Sequence, residues 1–478
     1  MVRNLLPPPT DHPLEWLRHQ AKSRGSAPAL IEGPAVLDYA GLWDSLGRWA
    51  RTMNAAGLEP GKITAVASAS RSRLARAIFL AIYAGFPILP VSPPLSGFGR
   101  LMRHCAIQQA IVDADVDLPQ GILRLPARYL ETVGHSPPAG PSPLPWDQVQ
   151  MLVASSGTEG PIRAAMLSGS NLAESALATN EAVTLCADDR WLCCLPLNHV
   201  GGIMILLRCA AAGAACVLHG GFTTQAAKAA IESQGISHAS LVPPMLHRLI
   251  DAGTDADHLT CVLIGGSPLS APLAQRARKR SWPLRLAYGL TETAAHIALG
   301  AADTDDPFMD IQAGTRVRIV DAENDSGVGS IEVSGPTVML GYANPGLVPG
   351  HGLVAPGTFR TQDLGRLDRR GRLQVLGRGD DVLISGGVNV HPAQVEDLLS
   401  GCPGVGEVAV TGYPDPVWGT CLVALYIGDG DVAAVEAWSK DHLPSQIRPR
   451  MFKKVDEMPR TQLGKVRRGE LNRLLDDS

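Results

Sequence analysis

Short apolar runs alternate with helix-like stretches through the first part of the chain. The runs ITAVASAS, AIVDAD, MLVASSG, HASLV and CVLIGGS have the length and residue content of buried strands. Stretches such as RSRLARAIFLAIYAG and TQAAKAAIES lie between them and have the residue content of helices. Because strands and helices alternate, the pattern predicts an α/β fold.

The pattern changes twice further along the chain. From about Asp305, the stretch TRVRIVDAENDSGVGSIEVSG shows short alternating strands with turn glycines, which predicts a small β-barrel or meander. After GRGDD, the apparent order is helix PAQVEDLLS, strand EVAVTGY, strand CLVALYIG and helix VAAVEAWSK. We therefore predict a large N-terminal domain, residues 1–379, built from two α/β subdomains and a β-barrel-like subdomain, followed by a small mobile α+β domain, residues 380–478.

Length and composition agree with this organisation. A chain of 478 residues is too long for one ordinary core and suggests about three structural units. Its hydrophobic fraction of 45% and charged fraction of 18% are those of a soluble protein. The formal net charge of -4 provides no broad basic field, so nucleic acid is not an expected partner.

The chain shows no sign of export or membrane insertion. The N-terminal stretch MVRNLLPPPTDHPLEW lacks an apolar signal core, and the most apolar stretch, GIMILLRCAAAGAACVL, carries Arg208 in its middle. The nine cysteines lack the spacing of a metal or redox site. We interpret them as buried thiols in a reducing compartment and expect a cytoplasmic protein without a membrane partner.

One glycine-rich and hydroxyl-rich segment, SSGTEGPIRAAML, directly follows an apolar run. Backbone N–H groups and hydroxyls in such a loop can cradle phosphates. A phosphate cradle normally includes a lysine, whereas this segment has Arg163 and also places the acidic Glu159 inside the loop. We expect Arg163 to replace the lysine and Glu159 to weaken the grip on a polyphosphate.

Seven separated segments together resemble the adenylate-forming enzymes, which include acyl-CoA and aryl-CoA synthetases, carrier-protein adenylation domains and luciferases. The resemblance covers nearly the whole chain, and the segments occur in the family's order. Among these enzymes, the chain is similar to o-succinylbenzoate-CoA ligases in length and in the pattern LPLNHVGGIMILLR. The segments are SSGTEGPIRAAML, LPLNHVGG, GGSPLS, YGLTET, RTQDLGRLD, GRGDDVLISGGVNVHPAQVE and PRTQLGKVRRGEL.

The resemblance implies a reaction in two halves. A carboxylate first attacks the α-phosphate of ATP to give an acyl-adenylate and pyrophosphate, and a thiol then attacks the activated carbonyl. The implied cofactors are ATP, Mg²⁺ and CoA, or the phosphopantetheine of a carrier protein in place of CoA. Such chemistry needs cationic donors and a metal ion close to the phosphate oxygens.

The resemblance assigns nucleotide binding to several of these segments. The aromatic residue of YGLTET suits adenine, the glycines of GGSPLS permit close backbone approach, and the carboxylate of RTQDLGRLD can accept both ribose hydroxyls. Gln362 stands where the family has a glycine. The implied nucleotide-binding residues are Ser155, Ser156, Gly157, Thr158, Gly160, Arg163, Gly265, Gly266, Ser267, Tyr288, Gly289, Asp363 and Arg378.

The resemblance also implies catalytic residues. Lys465 is the implied cation that bridges the attacking carboxylate and the α-phosphate, and Glu292 is the implied Mg²⁺ ligand. Thr291 is an implied phosphate donor, and His199 would lie at the mouth of the acyl pocket. The alternatives are a solvated lysine near the C-terminus, a helix-capping threonine and a structural histidine.

The resemblance places a hinge and a thiol tunnel near the start of the small domain. Asp380 would be the hinge about which that domain rotates between the two half-reactions, with Gly379 beside it. Gly386 and Gly387 would then leave room for a pantetheine arm. A simple glycine-rich turn is the alternative for this pair.

Arg208 is the second implied residue of the acid pocket, besides His199. It lies in an apolar helix-like run, and a buried unpaired cation is costly and attracts an anion. In o-succinylbenzoate-CoA ligases an arginine in this region is associated with the distal carboxylate of the substrate. An internal acidic partner and a snorkelling side chain are the alternatives.

Two classes of function remain open at this point. The first is an acid-thiol ligase that joins a carboxylic acid, aromatic or otherwise compact, to CoA, with a stand-alone carrier-protein ligase as a close variant. The second is a non-catalytic sensor of a nucleotide or metabolite that has a degenerate phosphate loop. Retention of the implied catalytic side chains favours the enzyme. The sequence leaves the oligomeric state open, with a homodimer among the options.

Overall fold

The fold is described from a computed structural model of the chain, which covers residues 13–91, 98–113, 116, 118–131, 139–155, 163–303, 306–323, 327–379, 381–385, 388–415, 419–461 and 464–476. Several predicted site residues lie outside the described residues. They are Ser156, Gly157, Thr158, Gly160, Asp380, Gly386 and Gly387, and the side chain of Ser155 is likewise not described.

The described helices occupy both domains. Two 3₁₀ turns, Ala127–Leu130 and Thr291–Thr293, accompany them. The α-helices are α1 (Pro13–Ser23), α2 (Tyr39–Ala55), α3 (Arg71–Ala84), α4 (Phe98–His104), α5 (Gly169–Val183), α6 (Val200–Ala212), α7 (Thr224–Ser233), α8 (Pro243–Asp251), α9 (Ala271–Lys279), α10 (Pro392–Leu399), α11 (Val432–His442), α12 (Arg468–Leu471) and α13 (Arg473–Asp476).

The described strands are numbered in chain order. They are β1 (Pro28–Glu32), β2 (Ala35–Asp38), β3 (Thr64–Ala67), β4 (Ile88–Val91), β5 (Gln109–Val112), β6 (Leu123–Pro126), β7 (Val149–Ser155), β8 (Arg163–Ser168), β9 (Arg190–Cys193), β10 (Ala215–Leu218), β11 (His238–Leu241), β12 (Cys261–Ile264), β13 (Leu284–Leu290), β14 (Ala295–Ala301), β15 (Asp310–Ile311), β16 (Arg316–Glu323), β17 (Val328–Ser334), β18 (Gly341–Tyr342), β19 (Thr358–Leu367), β20 (Leu373–Arg378), β21 (Leu383–Ser385), β22 (Val388–Val390), β23 (Glu407–Asp415), β24 (Gly419–Ile427) and β25 (Met451–Lys454).

Two mixed sheets form the α/β part of the large domain. The first has the order β15-β14-β13-β12-β11-β9-β10-β1-β2, and its strands from β13 to β1 are parallel to their neighbours. The second has the order β18-β8-β7-β4-β3-β5-β6, with β8 and β18 antiparallel at one end. Helix-connected parallel strands agree with the α/β prediction made from the alternating pattern.

One hydrophobic core joins the two sheets. Its buried residues come from strands of both sheets and from the helices packed on them, including Trp49 of α2, Ile78 of α3 and Leu206 of α6. Because α6 is buried along most of its length, Arg208, which it carries, cannot reach solvent: its exposed fraction is 0%. The core therefore fixes the site of this cation.

The later part of the chain forms smaller sheets. Strands β16, β17, β19 and β20 make an antiparallel four-stranded sheet at the position where the sequence predicts a barrel or meander. The small C-terminal domain contains the hairpin β21-β22 and the sheet β23-β24-β25, with α10 and α11 packed on them. This arrangement confirms the predicted fold class; the exact boundary at residue 379 stays a prediction.

Local signals in the sequence account for several helix ends. The Ser70 side chain accepts a hydrogen bond from the backbone N–H of Arg73 and so caps α3. At α5, Ser168 and Asn171 exchange hydrogen bonds in a capping box. The Asn171 amide also donates to the carbonyl oxygens of Pro336 and Val338, so this cap ties α5 to the chain that leads into β18.

The cysteines and the apolar character of the helices can be compared with the sequence expectations. All nine cysteines are free thiols, and every one except the half-buried Cys186 is buried. No described helix combines the length and the apolar character that a membrane span requires.

Candidate active site

The predicted site residues of the large domain follow the carboxyl ends of neighbouring strands. Strands β13, β12, β11 and β9 lie side by side in the first sheet. Asn198 and His199 follow β9, the segment starting at Gly265 follows β12, and Thr291 and Glu292 follow β13. Parallel strands end at the same edge of a sheet, so one edge collects segments that are far apart in sequence.

Two glycines in these segments meet requirements that other residues would not meet. Gly266 has φ of +83°, in the left-handed region that favours glycine. A Cβ on Gly289 would lie 1.7 Å from the carbonyl oxygen of Ala295, which is far inside contact distance. Gly289 therefore lets β13 and β14 approach closely, and Gly266 permits the turn that follows β12.

Tyr288 and Asp363 are joined directly. The Tyr288 hydroxyl donates a hydrogen bond to Oδ2 of Asp363 at 2.6 Å, and Asp363 is only 8% exposed. Burial and the negative charge of Asp363 raise the pKa of Tyr288 well above its ordinary value, so the phenol remains a donor. Arg378 is the cross-strand neighbour of Asp363, and its guanidinium donates to the Gln362 side chain. The predicted adenine and ribose residues thus lie together.

Tyr342 links Glu292 to Arg163. The Tyr342 hydroxyl donates to Oε1 of Glu292 at 2.7 Å, and the Arg163 guanidinium carbon lies 5.3 Å from the centre of the Tyr342 ring. Burial, followed by the charge of Glu292, raises the pKa of Tyr342. Glu292 is 8% exposed, so a buried carboxylate and the cation of the phosphate loop are positioned by one aromatic side chain.

Lys465 reaches this site from the small domain. Its Cε lies 3.7 Å from the position that a Cβ on Gly266 would occupy. Burial is the main cause that lowers the pKa of Lys465, and the charge of Arg378 lowers it further. The carboxylates of Asp363 and Glu292 act in the opposite direction and raise it. Lys465 therefore lies in the same region as Asp363, Arg378 and Glu292, which the sequence motifs assign to the same site.

His199 is also close to Lys465. It precedes α6, and among the described residues its Nε2 has no hydrogen-bond partner although that atom is buried. Burial, together with the positive charge of Lys465, lowers the pKa of His199 to about 4. The imidazole is therefore neutral at pH 7 and can act as either donor or acceptor, depending on its tautomer.

Arg208 lies deeper, on the buried side of α6. Its Nη2 is 3.2 Å from Nδ1 of His296, and its guanidinium lies over the Trp191 ring, with the carbon 5.6 Å from the ring centre. Within the described part of the chain, its Nε and Nη1 have no hydrogen-bond partner. Burial lowers the pKa of Arg208 to about 9, so it stays cationic at pH 7. Burial also lowers the pKa of His296, with Arg208 as the second cause, and leaves that ring neutral.

Neither alternative for Arg208 fits this geometry. A snorkelling side chain would place its head in water, whereas this residue is 0% exposed. An internal acidic partner would accept from its guanidinium, yet the described residues provide only the neutral His296. Two buried donors on a cation thus point to an anion or acceptor that the described residues do not supply.

The donor set also fits a nucleotide with a magnesium ion. The described residues contain no group of three or more His, Cys, Asp or Glu side chains arranged to hold a metal ion by themselves. Mg²⁺ is usually held by one or two carboxylates together with substrate phosphates, and the buried Glu292 supplies one such carboxylate. Cations from Lys465, Arg163 and Arg378 lie in the same region to meet phosphate charge.

Sequence reasoning missed two residues of this site. Tyr342 lies in the two-residue strand β18, and its hydrogen-bond partner Glu292 is fifty residues away along the chain. His296 lies 88 residues from its partner Arg208. Neither residue belongs to a motif that indicates its role, so only the fold could reveal them.

Comparisons with known proteins identify the family. Residues 17–343 match the family of AMP-binding enzymes, and residues 394–465 match the AMP-binding enzyme C-terminal domain. Feruloyl-CoA synthase from an Amycolatopsis species is 31% identical, over 96% of this chain and 98% of the relative. The 2-succinylbenzoate–CoA ligase of Staphylococcus aureus strain MSSA476 is 30% identical, over 68% of this chain and 67% of the relative.

A solved structure has the same fold over nearly the full length of this chain. o-Succinylbenzoate coenzyme A synthetase from Bacillus subtilis, in complex with ATP and magnesium ion, superposes with a TM-score of 0.86 at 26% identity, over 96% of this chain and 99% of that one. These matches confirm the predicted resemblance, the enzyme class and the cofactors ATP, Mg²⁺ and CoA. The chain belongs to the AMP-binding, adenylate-forming enzymes and is an ATP-dependent acid–CoA ligase that forms its thioester through an acyl-adenylate.

Proposed function

We propose that this ligase activates a compact carboxylic acid that carries a second anionic group, and that Arg208 binds that group. The observation that carries the proposal is the fully buried guanidinium, whose Nε and Nη1 have no hydrogen-bond partner among the residues that the structure describes. A distal carboxylate would supply the missing charge and accept both donors in the geometry that guanidinium groups prefer. His296 occupies the remaining nitrogen and orients the group.

The acids named for the two kinds of relative differ in their number of carboxylates. 2-Succinylbenzoate has two carboxylates, of which one can be activated while the other remains charged. Ferulate has one carboxylate and would present only a phenol at its far end. Since the buried cation gains more from a charged partner than from a neutral one, the dicarboxylic class is favoured.

The nucleotide residues keep the roles that their motifs imply. Asp363 accepts the ribose hydroxyls, with Arg378 as a donor to ribose or phosphate oxygens. Gly265, Gly266 and Ser267 line the adenine face by close backbone approach. Tyr288 and Gly289 provide the adenine-stacking face.

Phosphate charge is managed by a second group of residues. Arg163 and Thr291 donate to phosphate oxygens, together with the loop that begins at Ser155. Glu292 holds Mg²⁺, which neutralises phosphate charge when it is bound. Tyr342 keeps the carboxylate of Glu292 in place through the bond at 2.7 Å.

Lys465 stabilises the charge that develops as the carboxylate oxygen attacks the α-phosphorus. A bond forms between that oxygen and phosphorus, the bond to the bridging oxygen breaks, and pyrophosphate leaves. His199, neutral and adjacent to Lys465, closes the mouth of the acid pocket. In the second half the CoA sulfur attacks the carbonyl, AMP leaves and the thiol proton is released.

The domain motion between these halves is assigned to Asp380, with Gly386 and Gly387 beside the incoming thiol. CoA is the acceptor, and we place the enzyme in the cytoplasm, where CoA and ATP are available. A carrier-protein phosphopantetheine is tested as the other acceptor.

Acid-dependent ATP–pyrophosphate exchange tests the proposal. Matched pairs of acids, each a dicarboxylic acid and the analogue lacking the distal carboxylate, are compared with the wild-type enzyme and with Arg208→Met and Arg208→Lys. We expect the wild type to prefer the dicarboxylic member by about tenfold or more in kcat/KM, as expected for one charge-assisted hydrogen bond. Arg208→Met should remove the preference by raising KM for that member alone, and Arg208→Lys should retain part of it.

Other outcomes would contradict the proposal. Equal loss for both members of each pair in Arg208→Met would indicate structural damage, and a wild-type preference for monocarboxylic acids would reject the substrate class. AMP release with CoA, measured against a carrier protein at equal concentration, separates the two acceptors.

A further inference from the structure

A backbone hydrogen-bond donor of the large domain is capped by a carboxylate of the small domain. The backbone N–H of Ala271 donates to Oδ1 of Asp397 at 3.0 Å, and these residues are 126 positions apart. Ala271 is the first residue of α9, whereas Asp397 lies in α10. Ser270 occupies the N-cap position of α9, but its side chain makes no capping hydrogen bond.

The contact between Asp397 and Ala271 satisfies a backbone N–H at the start of α9. The first N–H groups of a helix have no partner inside the helix, and the partial positive charge at that end attracts a carboxylate. The Ala271 N–H is the first of these groups, beyond the reach of an N-cap side chain, and Asp397 supplies its acceptor. The contact exists only while α10 lies against the start of α9.

The same helix of the small domain also holds the chain that carries Lys465. Glu396, the neighbour of Asp397, accepts hydrogen bonds from the Arg468 guanidinium, with the Nη2 to Oε2 distance at 2.8 Å. Arg468 follows Lys465 by three residues, and its Nη1 donates to the Val410 carbonyl oxygen as well as to Glu396. The lysine is thus connected to α10 through one partly buried ion pair.

Both contacts meet one segment of the large domain. Lys465 approaches Gly266, with its Cε 3.7 Å from the position of a Cβ there, and Asp397 caps Ala271 five residues later. The segment between β12 and α9 is therefore held at one end by the lysine and at the other by the carboxylate. The arrangement that brings α10 against α9 therefore also brings Lys465 to Gly266.

We propose that Asp397 is a positioning residue for adenylation: it docks the small domain on α9 and so delivers Lys465 to the reacting phosphate. The proposal rests on the proposed role of Lys465 and adds the contact that places it. Asp397 is not among the residues assigned to nucleotide or acid binding, and its contact is lost once α10 moves away from α9. It therefore supports the adenylation half-reaction and contributes nothing to thioester formation.

Variants on both sides of the contact provide the test. Asp397→Ala removes the acceptor, and Asp397→Asn keeps a side-chain oxygen as a weaker acceptor. Ala271→Pro removes the donor with little strain, because proline is tolerated in the first turn of a helix and Ser270 has the extended backbone, with ψ of 145°, that precedes proline readily. Gln394→Ala, an exposed position on the same helix, is the matched control.

Each variant is assayed in both half-reactions at saturating acid and MgATP. We expect Asp397→Ala and Ala271→Pro each to lower the rate of ATP–pyrophosphate exchange by about 3- to 10-fold, the size expected for loss of one exposed helix cap. Thioester formation from supplied acyl-adenylate and CoA should keep its wild-type rate. Asp397→Asn should restore part of the exchange, and the double variant should be no slower than the slower single one.

Several results would overturn the docking role. These are an equal loss in both half-reactions, an additive double variant, a Gln394→Ala effect as large as that of Asp397→Ala, or unchanged exchange in Asp397→Ala. The same assays on Lys465→Ala separate the proposed role of Lys465 from the proposed docking role of Asp397. Full exchange in Lys465→Ala would reject the role of the lysine, whereas loss there with unchanged Asp397→Ala would reject the docking role alone.

Discussion

The hydroxyl of Tyr342 donates a hydrogen bond to Oε1 of Glu292 at 2.7 Å while the Arg163 guanidinium lies over the ring of the same tyrosine. One side chain therefore holds the carboxylate proposed to bind Mg²⁺ and contacts the cation proposed to bind phosphate. The Arg163 guanidinium also hydrogen-bonds the tyrosine hydroxyl, so removal of that hydroxyl leaves Arg163 only its contact with the ring.

Tyr342→Phe should weaken Mg²⁺ use while it keeps the ring that Arg163 contacts. Loss of a hydrogen bond to a buried carboxylate leaves Glu292 less well oriented, and we expect the Mg²⁺ concentration for half-maximal ATP–pyrophosphate exchange to rise by about tenfold. Tyr342→Leu should add a rise in KM for ATP, because it also removes the ring under Arg163. An unchanged Mg²⁺ requirement in Tyr342→Phe would contradict this role.

Arg163→Ala should raise KM for MgATP by about 5- to 30-fold, the range for losing a charge-assisted hydrogen bond at an exposed cation. Arg163→Lys should restore most of the affinity, since a lysine also carries positive charge to the phosphates. Glu159→Thr, which lies in the part of the loop outside the described residues, should lower KM or leave it unchanged. Steady-state kinetics at fixed free Mg²⁺ provides the measurement, and unaltered KM and adenylation rate in Arg163→Ala would mean that the loop does not bind phosphate through this residue.

Adenylation should lose activity at high pH because Lys465 loses its proton. Burial lowers the pKa of Lys465, so the cation is present below this lowered value and the alkaline limb begins below the ordinary lysine pKa. Lys465→Arg should keep some activity and shift the limb upward, since arginine holds its proton more tightly. The pH dependence of ATP–pyrophosphate exchange tests this, with thioester formation from supplied acyl-adenylate as the control that should not shift. An identical alkaline limb in both enzymes would assign it to another group.

Arg208→Met should stabilise the enzyme in the absence of acid. Burial lowers the folded-state pKa of Arg208 to about 9, so the unfolded chain binds this proton more tightly and the buried cation is destabilising. The penalty is fully present below about pH 9 and is relieved as the pH rises further towards the ordinary arginine value. An apolar replacement should therefore stabilise the fold by about 1–4 kcal/mol at pH 7.

Thermal melting of both proteins at pH 7 and pH 10 checks this expectation. The advantage of Arg208→Met should shrink at the higher pH, and Arg208→Lys, which keeps a buried charge, should show no gain. A less stable Arg208→Met protein at pH 7 would mean that the guanidinium has a stabilising partner.

The sequence predicts those parts of the molecule in which the signal is local. The apolar run CVLIGGS becomes β12 with a left-handed glycine at its end, and the motif YGLTET becomes the end of β13 with a 3₁₀ turn that carries Glu292. The motif order also predicts that Asp363 and Lys465 serve one site. The order of strands within each sheet has no such local signal.

Residues whose role depends on a distant partner could not be predicted. Tyr342, His296 and Asp397 have ordinary sequence surroundings, and each acts on a residue between 50 and 126 positions away. For Arg208 the sequence left a substrate anion, an internal acid and snorkelling open, because burial and neighbours were unknown. Its exposure of 0% excludes snorkelling, and its contact with the neutral His296 argues against an internal acid. A substrate anion is the interpretation that fits both observations.

The hydrogen bond from Tyr288 to Asp363 has a consequence for the choice between sugars. A carboxylate fixed at 2.6 Å by a phenol cannot turn to follow a nucleotide that offers one hydroxyl instead of two, so a deoxyribose would leave part of a buried acceptor unsatisfied. A carboxylate released from that phenol could reorient towards the single hydroxyl. Tyr288 would therefore determine how strictly the enzyme prefers ATP to 2′-deoxy-ATP, and Tyr288→Phe would relax the preference while it keeps the aromatic ring proposed to stack on adenine.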